Sequence, residues 1–433
     1  MTSTLSRRWL LIGVWALAIA GLFSLVLVVA RTPSLAQLPL FLSLFHQALV
    51  VHVDLSVLVW FLSIACLMWS LLASASRSLI PYLEQAAQYC FMGGMACIAL
   101  SPLDSKAEAM MSNYIPVIHG PLFFLGLALL LCGVGLMLLR VFTAPQWSNV
   151  FSKPVQFGVF SSAIIALISL AAFFWSYRLL PPVISGQQYY EMLFWGGGHV
   201  LQFTHTQILL VCWLWLASAL RPDFSPGRHW LYVLFSIGLL AALATPFAYF
   251  SFDITSPEFR NFFTQAMIAA NGIAPALLAL FIIPVLYRAP RKNALWAALL
   301  MSVVLFIYGG ILAGMIRGQN VIIPAHYHGS IVGITLAFMG IAYLLLPRFG
   351  HRDVKSWRLA FWQPIIYGAG QIMHISGLAY SGGYGVLRKT PGAINEISLN
   401  IKIAMGFMGL GGLLAIIGGL LFVVVMWQAV RKR

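Results

Sequence analysis

The sequence predicts an all-α polytopic membrane protein, a bundle of twelve transmembrane helices. Three observations carry this. Of the 433 residues, 61% are hydrophobic and only 8% are charged, against about 25% charged in an ordinary soluble domain. Long uncharged runs recur along the whole length, among them Trp9 to Ala30, Val117 to Leu139 and Ile403 to Met426. Each can cross a hydrocarbon core of roughly 30 Å, which takes about 20 helical residues. Between the runs lie short stretches rich in Pro, Gly or charge, such as Arg221 to Arg228 and Arg288 to Lys292. None is long enough for a separate soluble domain, so residues 1–433 read as one membrane domain.

Taken in order, helices are expected at about 8–30, 44–73, 86–103, 115–140, 156–177, 190–219, 229–252, 262–287, 293–316, 322–346, 358–380 and 399–428. The first follows Arg7 and Arg8, as a signal peptide would. It lacks a small-residue cleavage site and its apolar run is long, so it reads as an uncleaved first helix. The five cysteines, Cys66, Cys90, Cys97, Cys132 and Cys212, all fall within apolar runs without a CxxC pair. They read as small hydrophobes in helices.

The net charge of +15 does not indicate a nucleic-acid partner, because it is spread over short loops rather than clustered. With twelve helices the two termini share a side. Seventeen Lys and Arg residues fall on that side and eight on the other, together the full 25. The positive-inside rule then puts both termini in the cytoplasm.

Titratable side chains inside a membrane are costly and mark function. His52 falls in the second helix, His119 in the fourth, His199 and His205 in the sixth, His326 and His328 in the tenth, and His374 in the eleventh. His46 is at the entry to the second helix, while His229 and His351 belong to cytoplasmic ends or loops. Counted from the expected helix starts, His52, His199, His326 and His328 all fall in the outer half of the bilayer, roughly 6 to 14 Å below its surface. Four histidines from three helices at similar depth indicate a common cofactor layer. His326 and His328 are two residues apart and point about 200° from each other on a helix. They cannot share a metal, but each can serve a different haem. A haem with two axial histidines needs a partner from another helix, and His52 is the best placed. Neutral imidazole is an ordinary axial ligand of haem iron. Arg388 and Lys389, in the loop after the eleventh helix, lie on the outer side, where anionic haem propionates need cations.

These residues resemble subunit I of the haem-copper oxidase superfamily, the cytochrome c oxidase subunit I type, and are most similar to its B-type branch. The segment Phe45 to His52 is similar to the family stretch carrying a low-spin haem ligand. Tyr114-Ile115-Pro116 with His119 to Gly126 resembles B-type helix 4. Pro324 to His328, running on to Ala342-Tyr343-Leu344-Leu345-Leu346-Pro347, resembles helix 10. His374 to Ala379, ending in Arg388-Lys389, is similar to helix 11 and its propionate-binding basic pair.

The resemblance implies two haems, with His52 and His328 on the low-spin iron and His326 as proximal ligand of the high-spin one. It implies that His199, in Trp195-Gly196-Gly197-Gly198-His199, is the catalytic-site residue matching the first copper ligand. It further implies a respiratory terminal oxidase or reductase of dioxygen or nitric oxide in a bacterial inner membrane. Its partner would be a periplasmic-facing subunit II of cupredoxin or cytochrome c type, or a cytochrome c donor.

The sequence departs from that pattern at the second metal. Where the family has two adjacent histidines, the seventh helix reads Thr245-Pro246-Phe247-Ala248-Tyr249-Phe250-Ser251-Phe252. The family tyrosine four residues after the helix 6 histidine is Phe203 here. The sixth helix has no carboxylate after Glu191, and Gln265 to Tyr287 of the eighth contain no Ser, Thr or Lys. A copper held by one imidazole is weak, since such sites need several nitrogen donors. The expectation is therefore no three-histidine copper. Gln202 shares the face of His199 and leaves open a second metal with an unfamiliar ligand set, whereas His205, six residues on, should face elsewhere. Two other readings stand beside the oxidase: a haem-only electron carrier or gas-binding protein, and a transporter, which would show repeats or broken helices and would have no use for a histidine layer.

Overall fold

The computed structural model describes residues 2–31, 39–73, 80–104, 106–317, 320–383 and 399–431. Long helices dominate the described residues. They are α1 (Thr2–Arg31), α2 (Pro39–Val53, continuing through a π turn at Asp54–Val59 into Trp60–Leu72) and α3 (Ile80–Leu100). A two-stranded antiparallel hairpin follows, β1 (Glu108–Met110) with β2 (Val117–His119), in which Glu108 faces His119. Then come α4 (Pro121–Thr143), α5 (Lys153–Leu179), α6 (Gly186–Leu220) and α7 (Arg228–Leu243 with Thr245–Ser251). The chain ends with α8 (Pro257–Ala266, a π turn at Met267–Asn271, then Ile273–Arg288), α9 (Ala294–Gly314), α10 (Ile322–Leu345), α11 (Arg358–Gly383) and α12 (Leu399–Val430). Eleven of these are long and apolar enough to cross a membrane. The remaining one, α11, is 26 residues long and carries Gln363, Gln371 and His374.

Local chemistry sets the helix starts. Pro121 and Pro154 stand in the first turns of α4 and α5, where a missing N–H is no loss. Ser256 caps α8 by accepting from the Phe259 amide, and Asn293 caps α9 by accepting from that of Leu295. α7 breaks at Ala244, because Pro246 offers no amide to continue the ladder. One expectation is corrected here. The fourth helix was expected from residue 115, with His119 inside it; it starts at Pro121, and His119 ends β2. Pro116 and the pair Gly120-Pro121 stop any helix before that point.

The chain divides into two compact units. The first comprises Met1–Phe23, Ser43–Val211 and Ser225–Leu278. In it α3 and α4 approach backbone to backbone: a Cβ added at Gly94 would lie 2.8 Å from the Gly126 carbonyl oxygen. Such close approach at small residues is how helices pack in lipid. Arg140 and Glu84, both essentially inaccessible, form an ion pair at 2.8 Å. The Arg140 guanidinium also donates to the carbonyls of Trp69 and Ala73 at the end of α2, and the Trp9 indole donates to Glu84.

The second unit comprises Ser24–Leu42, Cys212–Phe224 and Ala279–Arg433. Its helices again meet at glycines. A Cβ at Gly329 of α10 would lie 2.7 Å from the Cα of Gly309 in α9, and one at Gly370 of α11 would lie 2.6 Å from the Ala415 amide nitrogen in α12. Large apolar side chains such as Leu280, Ile311 and Leu420 point outward, as a lipid-facing surface requires.

Candidate functional site

α2 carries His52 two residues before the π turn at Asp54, which Val53 caps. The Nδ1 atom of His52 lies 2.9 Å from the Ala20 carbonyl oxygen. In α10, Nδ1 of His326 lies 2.8 Å from the Gly309 carbonyl oxygen, and Nδ1 of His328 lies 2.8 Å from that of Pro324. A carbonyl only accepts, so each Nδ1 carries the proton and each Nε2 carries the lone pair. This second anchor fixes the ring and its tautomer, as it does for metal-bound imidazoles generally. Taken singly, each of these imidazoles is a nitrogen donor of the kind haem iron takes. In the second unit the rings of His328 and His374 approach to 5.5 Å, and His374 is held at Nδ1 by the Met408 carbonyl.

His199 is built differently. Its Nδ1 donates to the Trp195 carbonyl at 2.7 Å, one turn earlier in α6, and its Nε2 lies 2.8 Å from the Tyr114 hydroxyl. The lone pair that a metal would need therefore accepts from a phenol. Rings enclose the imidazole: Tyr114 at 4.7 Å, Trp195 at 4.8 Å and Phe263 at 5.9 Å. The glycine run before His199 makes this enclosure possible. Gly198 abuts the Tyr114 ring, Gly197 abuts Phe173, and a Cβ on Gly196 would lie 2.5 Å from the Tyr249 hydroxyl.

Tyr249 stands in the stretch of α7 where the resemblance calls for histidines. It stacks on Trp175 at 4.8 Å, and its hydroxyl pairs with Ser176 and donates to the Ala172 carbonyl. Ala248, Tyr249, Phe203, Phe259 and Phe263 belong to one buried apolar cluster. The residues present do not fit a three-imidazole copper: His199 brings one nitrogen, already hydrogen-bonded, and its surroundings are aromatic.

The other sequence candidates fall out as follows. His205 packs edge-on against Phe61 at 4.9 Å, away from His199, and its Nε2 has no hydrogen bond among the described residues. His119 pairs with the Tyr190 hydroxyl at 2.8 Å. His46 and His229 are exposed. Arg388 and Lys389 lie outside the described residues. The common depth needs revision in one respect. His52 and His199 are each thirteen residues into their helices, whereas His326 and His328 are four and six residues into α10. α2 and α6 start earlier than expected, at Pro39 and Gly186, and α6 opens with exposed polar residues at Gln187 and Gln188.

Sequence reading missed two features. Tyr114 was visible only as part of a motif, with nothing to say that it meets His199. Asp54 is buried at 1% exposure in the π turn of α2, and neither carboxylate oxygen has a hydrogen bond among the described residues. π turns recur at functional positions, but no signal in the sequence marked this one.

Residues 4–414 match the family described as Cytochrome C and Quinol oxidase polypeptide I. An uncharacterized protein of Rickettsia prowazekii (strain Madrid E) is 34% identical, over 97% of this chain and 95% of that protein. Another, of Aquifex aeolicus (strain VF5), is 28% identical over 80% of this chain and 85% of its own length. Among solved structures, a heme-copper terminal oxidase dimer superposes with a TM-score of 0.79 over 99% of this chain and 85% of that one, at 17% identity. The fold is thus that of the oxidase subunit. This multi-pass membrane chain belongs to the cytochrome c and quinol oxidase polypeptide I family.

Proposed function

We propose that the chain is the haem-binding subunit of a respiratory terminal oxidase or reductase, seated in a bacterial inner membrane as one membrane domain. Electrons enter from a periplasmic-facing subunit II or a cytochrome c. His52 and His328 would hold a low-spin haem and His326 a high-spin one, and these groups would supply electron transfer and binding of dioxygen or nitric oxide. The observation that carries this is the shared anchoring of those three imidazoles, Nδ1 to a backbone carbonyl and Nε2 with its lone pair. When bound, haem supplies one-electron transfer and a gas-binding iron. The chain's own residues supply axial nitrogens in fixed orientation, and Arg388 and Lys389 supply positive charge for the propionates.

The same reading holds that no three-histidine copper is bound. Where the family pattern has histidines, the seventh-helix positions are Ala248, Tyr249, Phe250 and Ser251, and no histidine lies between His229 and His326. Haem and metal quantification on the purified protein, with a carbon monoxide difference spectrum, tests the whole proposal. Two haems with carbon monoxide binding and no chelation-resistant copper are expected. Absence of haem overturns the proposal and restores the transporter reading. Stoichiometric copper lost on His199→Ala overturns the copper-free site.

A second reading, a haem-only electron carrier or gas-binding protein, is favoured by the Tyr114 hydroxyl on the His199 lone pair. Steady consumption of dioxygen or nitric oxide by the reduced protein decides between the two.

A further inference from the structure

Cationic loops that lie far apart in the sequence meet in the second unit. The Ala294 amide, where the loop from α8 enters α9, donates to the Lys355 carbonyl in the loop between α10 and α11, at 2.9 Å. The Arg352 amide of that same loop donates to the Ala429 carbonyl near the end of α12, at 3.4 Å. Two backbone bonds thus lace three chain segments together at one end of the helices. Of the seventeen Lys and Arg residues on the side of the two termini, eleven belong to this unit. The acids among them on that side are Asp223 and Asp353, and each is engaged, Asp353 with Lys355 at 2.9 Å and Asp223 with Arg221. The hydrogen bond from Arg221 holds the Asp223 carboxyl below the usual carboxylate range, and Arg288 adds a smaller pull, which puts Arg288 in the same group. Arg288, Arg291, Lys292 and Arg358 are exposed and have no ion pair among the described residues.

Membrane orientation needs only a bias of sign between the two sides. It does not require the cations to be gathered. Gathered like charges repel, and an anion seated among them offsets the repulsion. Their height selects the anion. Arg288 is the last residue of α8, Arg358 is the first of α11, and Arg431 directly follows α12. Helix ends are where phospholipid headgroups lie, and aromatic side chains mark that level. Tyr287, 76% exposed, precedes Arg288, and Trp427, 59% exposed, lies under the Arg431 guanidinium at 5.1 Å. A nucleic acid or an acidic protein would need cations standing clear of the bilayer, whereas the loop from α8 to α9 is only Ala289 to Asn293.

We propose that this end of the second unit binds the headgroup of an anionic phospholipid, with Arg291, Lys292 and Arg358 around its phosphodiester. The Ala294–Lys355 bond is the junction: Lys292 stands two residues before Ala294, and Arg358 three residues after Lys355. Guanidinium suits the task, because its planar fork meets two phosphate oxygens at once. Basic pockets between helix ends are a recurrent form of lipid headgroup site. The site is separate from the candidate haem ligands, and the inference holds whether or not the chain carries haem.

The test uses the full-length protein purified in a neutral detergent and titrated with phosphatidylglycerol, phosphatidylcholine or inorganic phosphate. Binding is read by native mass spectrometry and by the thermal midpoint. Phosphatidylglycerol should form adducts and raise the midpoint, more weakly as salt is added, while phosphatidylcholine and inorganic phosphate should do neither. The triple variant Arg291→Gln, Lys292→Gln, Arg358→Gln should bind phosphatidylglycerol roughly a hundredfold more weakly, from the usual weight of three cations near a headgroup. Arg291→Lys with Arg358→Lys keeps the charge and should retain the binding. Lys153→Gln with Arg228→Gln removes two cations from the same side of the first unit and should bind like the parent. Equal binding of the two lipids, an unchanged affinity in the triple variant, or an equal loss in the first-unit pair overturns the proposal. So does inorganic phosphate that binds as tightly as the lipid, since the ligand would then be the free anion.

Discussion

A neutral imidazole has one lone pair, and what its other nitrogen touches decides where that lone pair points. His52, His326 and His328 each spend Nδ1 on a backbone carbonyl. His199 does so too, but its Nε2 is met by a phenol. His52→Ala and His328→Ala should therefore each remove a six-coordinate low-spin haem signal, and either variant retaining that signal would refute its assignment. His326→Ala should abolish carbon monoxide binding while leaving the low-spin signal in place. Gly198→Ala should cost about 1–3 kcal/mol, the usual range for overpacking, because its methyl meets the Tyr114 ring; a thermal midpoint equal to the parent's in detergent would show that the loop yields. At this scale the candidate histidines were legible, because polar groups in an apolar run stand out. The Tyr114 contact was not, since it joins residues 85 positions apart and one of them sits in a loop. Asp54 was equally hidden: a lone carboxyl after a histidine carries no sign that its oxygens will lie buried in a π turn.

Elements were legible to the extent that lipid dictates them. Uninterrupted apolar runs became helices because a spanning backbone must satisfy its own hydrogen bonds. The ends were less legible. β1 and β2 are three residues each, too short for any alternation to show, although Pro116 and Gly120-Pro121 marked where the fourth helix could not be. The early start of α6 was invisible because its opening turn, Gly186-Gln187-Gln188, lacks the apolar character used to find a span. Also unseen was the link joining α2, α3 and α4, in which Arg140 reaches Glu84 and the last carbonyls of α2. Removing one partner of a buried pair leaves an uncompensated charge and costs about 3–5 kcal/mol. Arg140→Met should lower stability by that order, and Glu84→Gln added to it should restore part of the loss. Denaturation midpoints of the single and double variants check this; a double variant less stable than the single would mean that Glu84 is held by something other than Arg140.

For the whole molecule, orientation is the property that ties the helices to the chemistry. Seventeen of the 25 Lys and Arg residues fall in the loop set that contains both termini, and cationic loops near helix ends are retained on the cytoplasmic side. The loop between α6 and α7, where Arg221 pairs with Asp223 at the surface, belongs to that set. The segment carrying Arg388 and Lys389 belongs to the other. His326 and His328 lie four and six residues from the start of α10, the end that adjoins this second loop set. Haem propionates, a periplasmic electron donor and the basic pair therefore belong together only if that side is periplasmic. The check is labelling by a membrane-impermeant maleimide in a background with the five native cysteines replaced. Lys389→Cys should react in intact cells, and Asp223→Cys only after permeabilisation. The reverse pattern would invert the topology, put the basic pair in the cytoplasm and remove the basis for an outer-side electron donor, while leaving the twelve-helix fold untouched.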